Sequence, residues 1–373
     1  MASTPPDVEG ARRARWEHVR RRMTDVGVDA LLLALGADLP WLTGYTAMPL
    51  ERLTMLVLPA DGDATLVVPR LEEPRVEPRP ELFSIRAWDE TDDPVAEVAT
   101  LVGRRSSLAV SDRTWATFLL GLQASLPQAR WQPASVVTGP LRAVKDAAEV
   151  AALRRAAAAA DRVAEALVGG RVPLVGRTEA EVSRELGDRL VAEGHGAVNF
   201  AIVGSGPNSA SPHHEPGGRT IGAGEAVVCD FGGTLDGYCS DITRTVFTGD
   251  PPPEFRDLYA VLQAAQATAV EAACVGVPCE DVDGVARRTI TEGGYGPFFV
   301  HRTGHGIGLE EHEDPYLVGG NCEPLAAGHV FSVEPGIYMS GRWGARIEDI
   351  VVATPAGPDP LNAVGHALAV VEV

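Results

Sequence analysis

The chain has 373 residues, 45% of them apolar and 22% charged, and a formal net charge of −19. That length predicts two domains, three at most, each able to bury its own core, and the composition excludes a disordered or collagen-like chain. The acidic surplus repels phosphates and anionic lipid, so nucleic acid and membrane surfaces are excluded as partners, and no apolar run reaches the roughly 18 residues of a spanning helix.

The start, Met1–Gly10, is polar and carries no apolar stretch of a secretory signal. Arg12–Val26 predicts a helix, with Trp16, Val19 and Met23 about one turn apart. Asp29–Leu35 is a short apolar run of the buried-strand kind. Arg52–Pro59 and Ala64–Pro69, separated by Ala60-Asp-Gly-Asp63, predict a hairpin. Strand-like runs at Phe83–Ala87 and Leu108–Val110 alternate with helical segments at Pro94–Val102 and Thr114–Ser125, the pattern of a small α/β domain.

Near Gly139-Pro140 the pattern changes, which divides the chain into domains of residues 1–140 and 141–373. Lys145–Val168 is an Ala-rich helix closed by Gly169-Gly170. Thr178-Glu-Ala-Glu181 is a capping box that opens a helix to about Glu193. Strands are predicted at Asn199–Gly204, Ala226–Asp230 and Ile242–Phe247, helices at Glu254–Cys274 and Asp281–Glu292, and final strands at Val330–Glu334 and Ala345–Ala353. Five cysteines (Cys229, Cys239, Cys274, Cys279 and Cys322) without a CxxC pair predict reduced thiols in a cytoplasmic protein.

The second half gathers acids in apolar, strand-like surroundings: Asp230, Asp241, Glu334 and Glu348, with His305 in Gly304-His-Gly-Ile-Gly308 between them. A carboxylate buried alone is costly unless it is paired, neutralised or bound to metal. Arg244 and Arg346 are too few to balance four carboxylates, whereas two divalent cations would, provided two of the carboxylates bridge. An oxygen-rich donor set of this kind favours Mn²⁺, with Co²⁺ and Zn²⁺ as alternatives.

These five residues in their motifs resemble the pita-bread metallopeptidases, in the branch of Xaa-Pro dipeptidase (prolidase) and aminopeptidase P. The motifs that carry the resemblance are His301-Arg-Thr-Gly-His-Gly-Ile-Gly-Leu-Glu-Glu-His-Glu-Asp-Pro315 and Ser332-Val-Glu-Pro-Gly-Ile-Tyr338. It is close over residues 145–353 and looser before them, and implies an α/β (α+β) chain, a creatinase-like N-terminal domain followed by a pita-bread catalytic domain. It further implies that Asp230 ligates one metal, that His305 and Glu334 ligate the other, and that Asp241 and Glu348 bridge. A metal-bridging hydroxide would then attack the Xaa-Pro carbonyl of a dipeptide or short peptide. Glu334 corresponds to the proton shuttle, and His213 and His312 to the histidines that polarise the carbonyl. Arg346 is either a partner of the carboxylates or a contact of substrate. A homodimer, with the N-terminal domain reaching the partner's cleft, is also implied.

Of the adjacent His213 and His214, the family motif favours the first. His301 and His329 read as structural or exposed, and Cys229 and Cys239 as packing. Tyr238 and Phe200 line a proline pocket or belong to the core. A dipeptidase must read a terminal carboxylate with a cation, for which Arg219, Arg302 and Arg346 are candidates. Two alternatives remain: a metal-dependent hydrolase or lyase of a small non-peptide substrate, and a non-catalytic peptide-binding protein.

Overall fold

The computed structural model describes residues 8–371, so the polar start read as Met1–Gly10 lies, up to Asp7, outside the described residues. The chain forms two compact units, Met1–Arg142 and Ala143–Val373.

The first unit runs α1 (Val8–Asp25), β1 (Ala30–Leu33), α2 (Asp38–Thr43), β2 (Met55–Pro59), β3 (Ala64–Pro69), β4 (Phe83–Trp88), α3 (Pro94–Val102), β5 (Ser107–Val110), α4 (Ala116–Ser125), β6 (Arg130–Pro133) and α5 (Ser135–Ala143). Its six strands lie in the order β4-β3-β2-β1-β5-β6. Only β2 runs against both its neighbours, through the predicted hairpin with β3 on one side and β1 on the other. Every residue of β1 is buried, which is why that stretch reads as an unbroken apolar run rather than an alternating one. Asp29 accepts from the Ser106 and Ser107 amides, each at 2.9 Å, and so pins the start of β1 to β5; those amides hold its carboxyl below the ordinary range. The Asp93 side chain caps α3 by accepting from the amides of Val95 and Ala96, with Pro94 at the first helical position.

The second unit runs α6 (Ala147–Val168), α7 (Glu179–Ala192), β7 (Ala197–Ser205), β8 (Ala226–Leu235), β9 (Tyr238–Cys239), β10 (Ile242–Thr248), α8 (Pro253–Ala272), α9 (Cys279–Glu292), β11 (Gly304–Gly306), β12 (Glu313–Leu317), β13 (Val330–Val333), β14 (Gly336–Met339), β15 (Trp343–Arg346), β16 (Asp349–Thr354), β17 (Gly357–Pro360) and β18 (Ala369–Val371). One sheet has the order β18-β10-β8-β7, with β9 paired to β8; a second has the order β12-β11-β13-β16-β17; β14 and β15 form a ribbon. Helices α6 and α7 cover the first sheet, where Ala160, Val163, Leu186 and Leu190 pack on Val227, Cys229 and Val246. Helices α8 and α9 cover the second, with Leu262, Ala269 and Val282 against Phe331, Val333 and Val351. The expected capping box forms at Thr178 with Glu181, and a second, which the sequence reading did not name, forms at Asp146 with Glu149.

Two strand expectations change. The run at Ala226–Asp230 continues to Leu235, so Asp230 sits inside β8 and faces Thr243 across the antiparallel pair. Asp236 and Gly237 turn the chain at φ 51° and 84°, the positive values a two-residue hairpin demands. The predicted Ala345–Ala353 strand breaks at Ile347-Glu348, because Glu348 leaves its own sheet to form a backbone bridge with Thr243 of the other. The glycines beside His305 serve close packing: a Cβ on Gly304 would lie 1.9 Å from the Ser332 carbonyl oxygen, and one on Gly306 2.1 Å from that of Asp314. No described helix is long and apolar enough to cross a membrane.

Candidate active site

Strand geometry explains how distant acids meet. Asp230 comes from β8, Asp241 from the residue before β10, His305 from β11, Glu334 from the residue after β13, and Glu348 from the break between β15 and β16. All five line one open pocket of about 420 Å³. His305 Nε2 lies 3.2 Å from Glu334 Oε1 and 3.8 Å from Asp241 Oδ2. Asp241, His305 and Glu348 each offer a ligand atom, and these atoms lie within 4.8 Å of one another.

The charge balance of this cluster is poor without a cation. Asp230, Asp241 and Glu348 are buried, at 7%, 4% and 2% exposure, yet Arg346 is the only guanidinium among the described residues that bonds to any of the four carboxylate side chains. Burial pushes the Asp241 carboxyl well above its ordinary range, and the negative charges of Glu348, Asp230 and Glu334 push it further. Burial does the same to Glu348, reinforced by Glu334 and Asp230, and raises Asp230, which Arg346 partly offsets. Glu334 goes the other way: burial alone would raise it, but its bond to His305 and the charges of His305, His301 and Arg346 hold it well below the usual carboxylate range. Asp230 Oδ1 and Asp241 Oδ1 are buried with no hydrogen-bond partner among the described residues. Orphaned acceptors on two carboxylates, in a donor set of oxygens and one imidazole, fit a divalent cation.

The surrounding side chains hold these acids in place. Arg346, 2% exposed, bonds Asp230 Oδ2 through Nη2, Tyr338 Oη through Nη1 at 2.8 Å, Thr243 Oγ1 through Nε at 3.0 Å and the Pro212 carbonyl at 3.2 Å. Thr243 Oγ1 donates to Glu348 Oε2 at 2.6 Å, and Ser332 Oγ to Glu334 Oε1 at 3.1 Å. Arg346 is therefore a carboxylate partner in this structure.

The remaining expected residues separate cleanly. His213 and His312 line the pocket, the His312 ring centroid 3.9 Å from that of His305. His214 turns away and bonds Glu179 at 2.8 Å. Phe200 lines the pocket, whereas Tyr238 bonds Glu149 at 3.0 Å elsewhere. Of the three candidate cations, Arg219 is paired with Glu225 and Arg346 is spent on Asp230, which leaves Arg302, in the pocket wall and 4.4 Å from the Tyr316 ring centroid. His329 is buried and its Nδ1 accepts from the Ala326 amide, a structural role. Cys229 packs beneath helices α6 and α7, and burial pushes its thiol far up; burial likewise raises the Cys239 thiol, to about 12.

His301 departs from its sequence reading: it lines the pocket, and its Nε2 lies 3.0 Å from Tyr338 Oη. The support residues Thr243 and Ser332 escaped pattern reading, although the spacing that marks Arg346 marks them as well. All three stand two positions from a predicted ligand (Asp241, Glu334 and Glu348), the spacing that returns a side chain to the same strand face.

Known proteins are similar to this chain in sequence and fold. The chain is 44% identical over 376 residues to a probable dipeptidase PepE of Mycobacterium tuberculosis, covering 98% of this chain and 100% of that one. A prolidase from Thermococcus sibiricus superposes with a TM-score of 0.91 at 35% identity, over 97% of this chain and 99% of that one. A Xaa-Pro dipeptidase from Bacillus anthracis superposes at 0.88 with 29% identity, over 96% of this chain and 100% of that one. The Creatinase/Prolidase N-terminal domain family matches residues 15–144. With residues 151–355 matching the catalytic family as well, the chain belongs to metallopeptidase family M24 and is a metallopeptidase with a creatinase-like N-terminal domain.

Proposed function

We propose that this protein hydrolyses the Xaa-Pro bond of dipeptides and short peptides, with two divalent cations held by Asp230, Asp241, His305, Glu334 and Glu348. The observation that carries the reading is the cluster itself: four carboxylates and one imidazole around a pocket, two carboxylate oxygens orphaned, and one guanidinium to balance them. Relatives named dipeptidase, prolidase and Xaa-Pro dipeptidase support the substrate class. Residues 1–140 and 141–373 are assigned as the two domains, Mn²⁺ as the metal, and a homodimer as the assembly.

Bound cations would supply Lewis acidity, lowering the pKa of water and polarising the substrate carbonyl. The protein's own groups do the rest. Asp241 and Glu348 would be shared between the cations, Asp230 would serve one, and His305 with Glu334 would serve the other. Glu334, kept ionised by its cationic and imidazole neighbours, accepts the proton that the attacking water sheds and delivers it to the departing proline nitrogen. His213 and His312 face the pocket and donate to the oxygen that gains charge as the carbonyl becomes tetrahedral. Arg302 pairs with the terminal carboxylate of a dipeptide. Phe200 and Ile202 offer an apolar wall to the proline ring. A proline bond has no N–H, so a site that needs only the carbonyl and its flanking groups suits it better than strand-like docking.

The decisive experiment compares Mn²⁺-reconstituted hydrolysis of a Xaa-Pro dipeptide with that of a longer Xaa-Pro peptide. Cleavage of the dipeptide is expected, with Arg302→Gln raising KM for it at least tenfold and leaving the longer peptide little changed. No cleavage of either substrate by metal-loaded protein would overturn the peptidase reading in favour of a small non-peptide substrate.

A further inference from the structure

The pocket holds one of two adjacent histidines, and the structure shows what chooses between them. The segment from Ser205 to His214 leaves the end of β7, makes a short 3-10 turn at Gly206–Ala210 and carries Pro212 and His213 to the pocket. The family motif favours His213, but the two adjacent imidazoles of Ser211-Pro-His-His214 are chemically alike. A slip of the segment by one residue would exchange them, because the chain turns at Pro212-His213, where the His214 amide bonds the Ser211 carbonyl at 3.2 Å, and the two imidazoles leave that turn in different directions, one to the pocket and one to Glu179.

What prevents the slip is Glu179, the first residue of α7, whose side chain has no exposure at all. Its Oε1 accepts from the Ser205 amide at 2.8 Å, the Ser205 hydroxyl at 2.7 Å and Asn208 Nδ2 at 3.1 Å. Its Oε2 accepts from the same Asn208 amide at 3.1 Å and from His214 Nε2 at 2.8 Å. One buried carboxylate thus grips the segment at its beginning, middle and end. Arg219, paired with Glu225, donates to the Ser205 hydroxyl at 2.6 Å and steadies the same point. On the other side, Arg346 bonds the Pro212 carbonyl at 3.2 Å, so the segment is held between the ligand cluster and Glu179.

We propose that Glu179, through His214, is a positioning residue that locks the register of this segment and thereby presents His213, rather than His214, to the scissile carbonyl. The proposal rests on the reading of the pocket as a Xaa-Pro peptidase site. Glu179 touches no substrate; it acts through His213.

The test is a double-mutant cycle on the Mn²⁺-loaded enzyme with a Xaa-Pro dipeptide, using Glu179→Gln, His214→Ala and His213→Ala. His214→Ala removes the lock yet leaves Glu179 bonded to Ser205 and Asn208, so it keeps the cycle informative where a Glu179 variant fails to fold. His213→Ala is expected to lower kcat about 100-fold. Displacing that imidazole by about an ångström with Glu179→Gln or His214→Ala is expected to lower kcat 10- to 100-fold, with KM changed less than threefold. Adding His213→Ala to either should then lower kcat no further than His213→Ala alone. Multiplicative losses, or His214→Ala within twofold of the parent, would overturn the proposal. If the parent protein cleaves no Xaa-Pro peptide, the peptidase reading fails, and the imidazole ¹⁵N spectrum of the Zn²⁺-loaded protein decides the register lock by itself. Glu179→Gln must then shift His213 together with His214; a change confined to His214 refutes it.

Discussion

Two groups of buried acids in the second unit obey the same electrostatics and end in opposite states. Around Glu179, each carboxylate oxygen meets donors from Ser205, Asn208 and His214. Burial pushes its pKa up, but those bonds outweigh it and hold the group below the ordinary range. Lys145 and Glu313 form a comparable pair at 2.6 Å, both nearly inaccessible. Around Asp230, Asp241 and Glu348, one oxygen of each aspartate is buried without a donor among the described residues, and every neighbouring acid makes the next one harder to ionise. A satisfied buried acid is an anchor that fixes backbone; an unsatisfied cluster is a charge waiting for a counterion.

The strongest way to break this contrast is to remove a ligand. Asp241→Ala is expected to abolish measurable metal stoichiometry and to lower kcat/KM by about 1,000-fold or more. Metal analysis and steady-state kinetics check it, and full activity in the variant refutes the bridging role. Chelation should lower the Tm of the parent protein, since cations held at 100 times their Kd contribute about 2.7 kcal/mol, and should leave the Tm of Asp241→Ala unmoved.

Anchors should fail in the other direction. Lys145→Met takes the ammonium from a buried carboxylate and is expected to cost about 3 kcal/mol in urea unfolding. Glu179→Gln replaces an all-acceptor group by one that is half donor and is expected to cost about 1–3 kcal/mol. Asp241→Asn sharpens the comparison, because in chelated protein it should raise stability, on the order of 1 kcal/mol, by relieving repulsion. A destabilised Asp241→Asn in chelator would contradict the account of the cluster.

The smallest effect is in pH dependence. The folded pKa of Glu179 lies below its unfolded value of about 4.3, so the folded state binds fewer protons there. Its contribution is complete above the unfolded pKa and fades as pH falls through the folded one. Urea midpoints of parent and Glu179→Gln should therefore converge below about pH 4 and diverge above it. Parallel curves would mean that Glu179 is no charged anchor.

The same contrast explains what was legible in the sequence. Asp230, Asp241, His305, Glu334 and Glu348 stood out because acids in strand-like apolar runs violate the ordinary pattern, and the structure gathers them in one pocket. The helix start at Thr178 was readable because a capping box is local chemistry. His301 was not, since a histidine ahead of a glycine-rich strand carries no mark of the Tyr338 hydroxyl that meets it 37 residues on. Glu179 hid within a capping box that accounts for Thr178 and Glu181 and says nothing about the two residues between them. The break at Ile347-Glu348 depends on Thr243, 105 residues away. Long-range partners leave no trace in local periodicity.

That break has a consequence for motion. The Glu348 amide bonds the Thr243 carbonyl at 3.2 Å, the Arg346 amide bonds Thr245 Oγ1 at 3.0 Å, and Arg244 Nη1 bonds the Glu348 carbonyl at 2.7 Å. One main-chain bond and two bonds between side chain and main chain thus tie the break to β10 at the point where the acids converge. Neither sheet can fray there alone, so hydrogen exchange at Thr243, Arg346 and Glu348 should follow the global unfolding of the unit, with no faster local route to solvent.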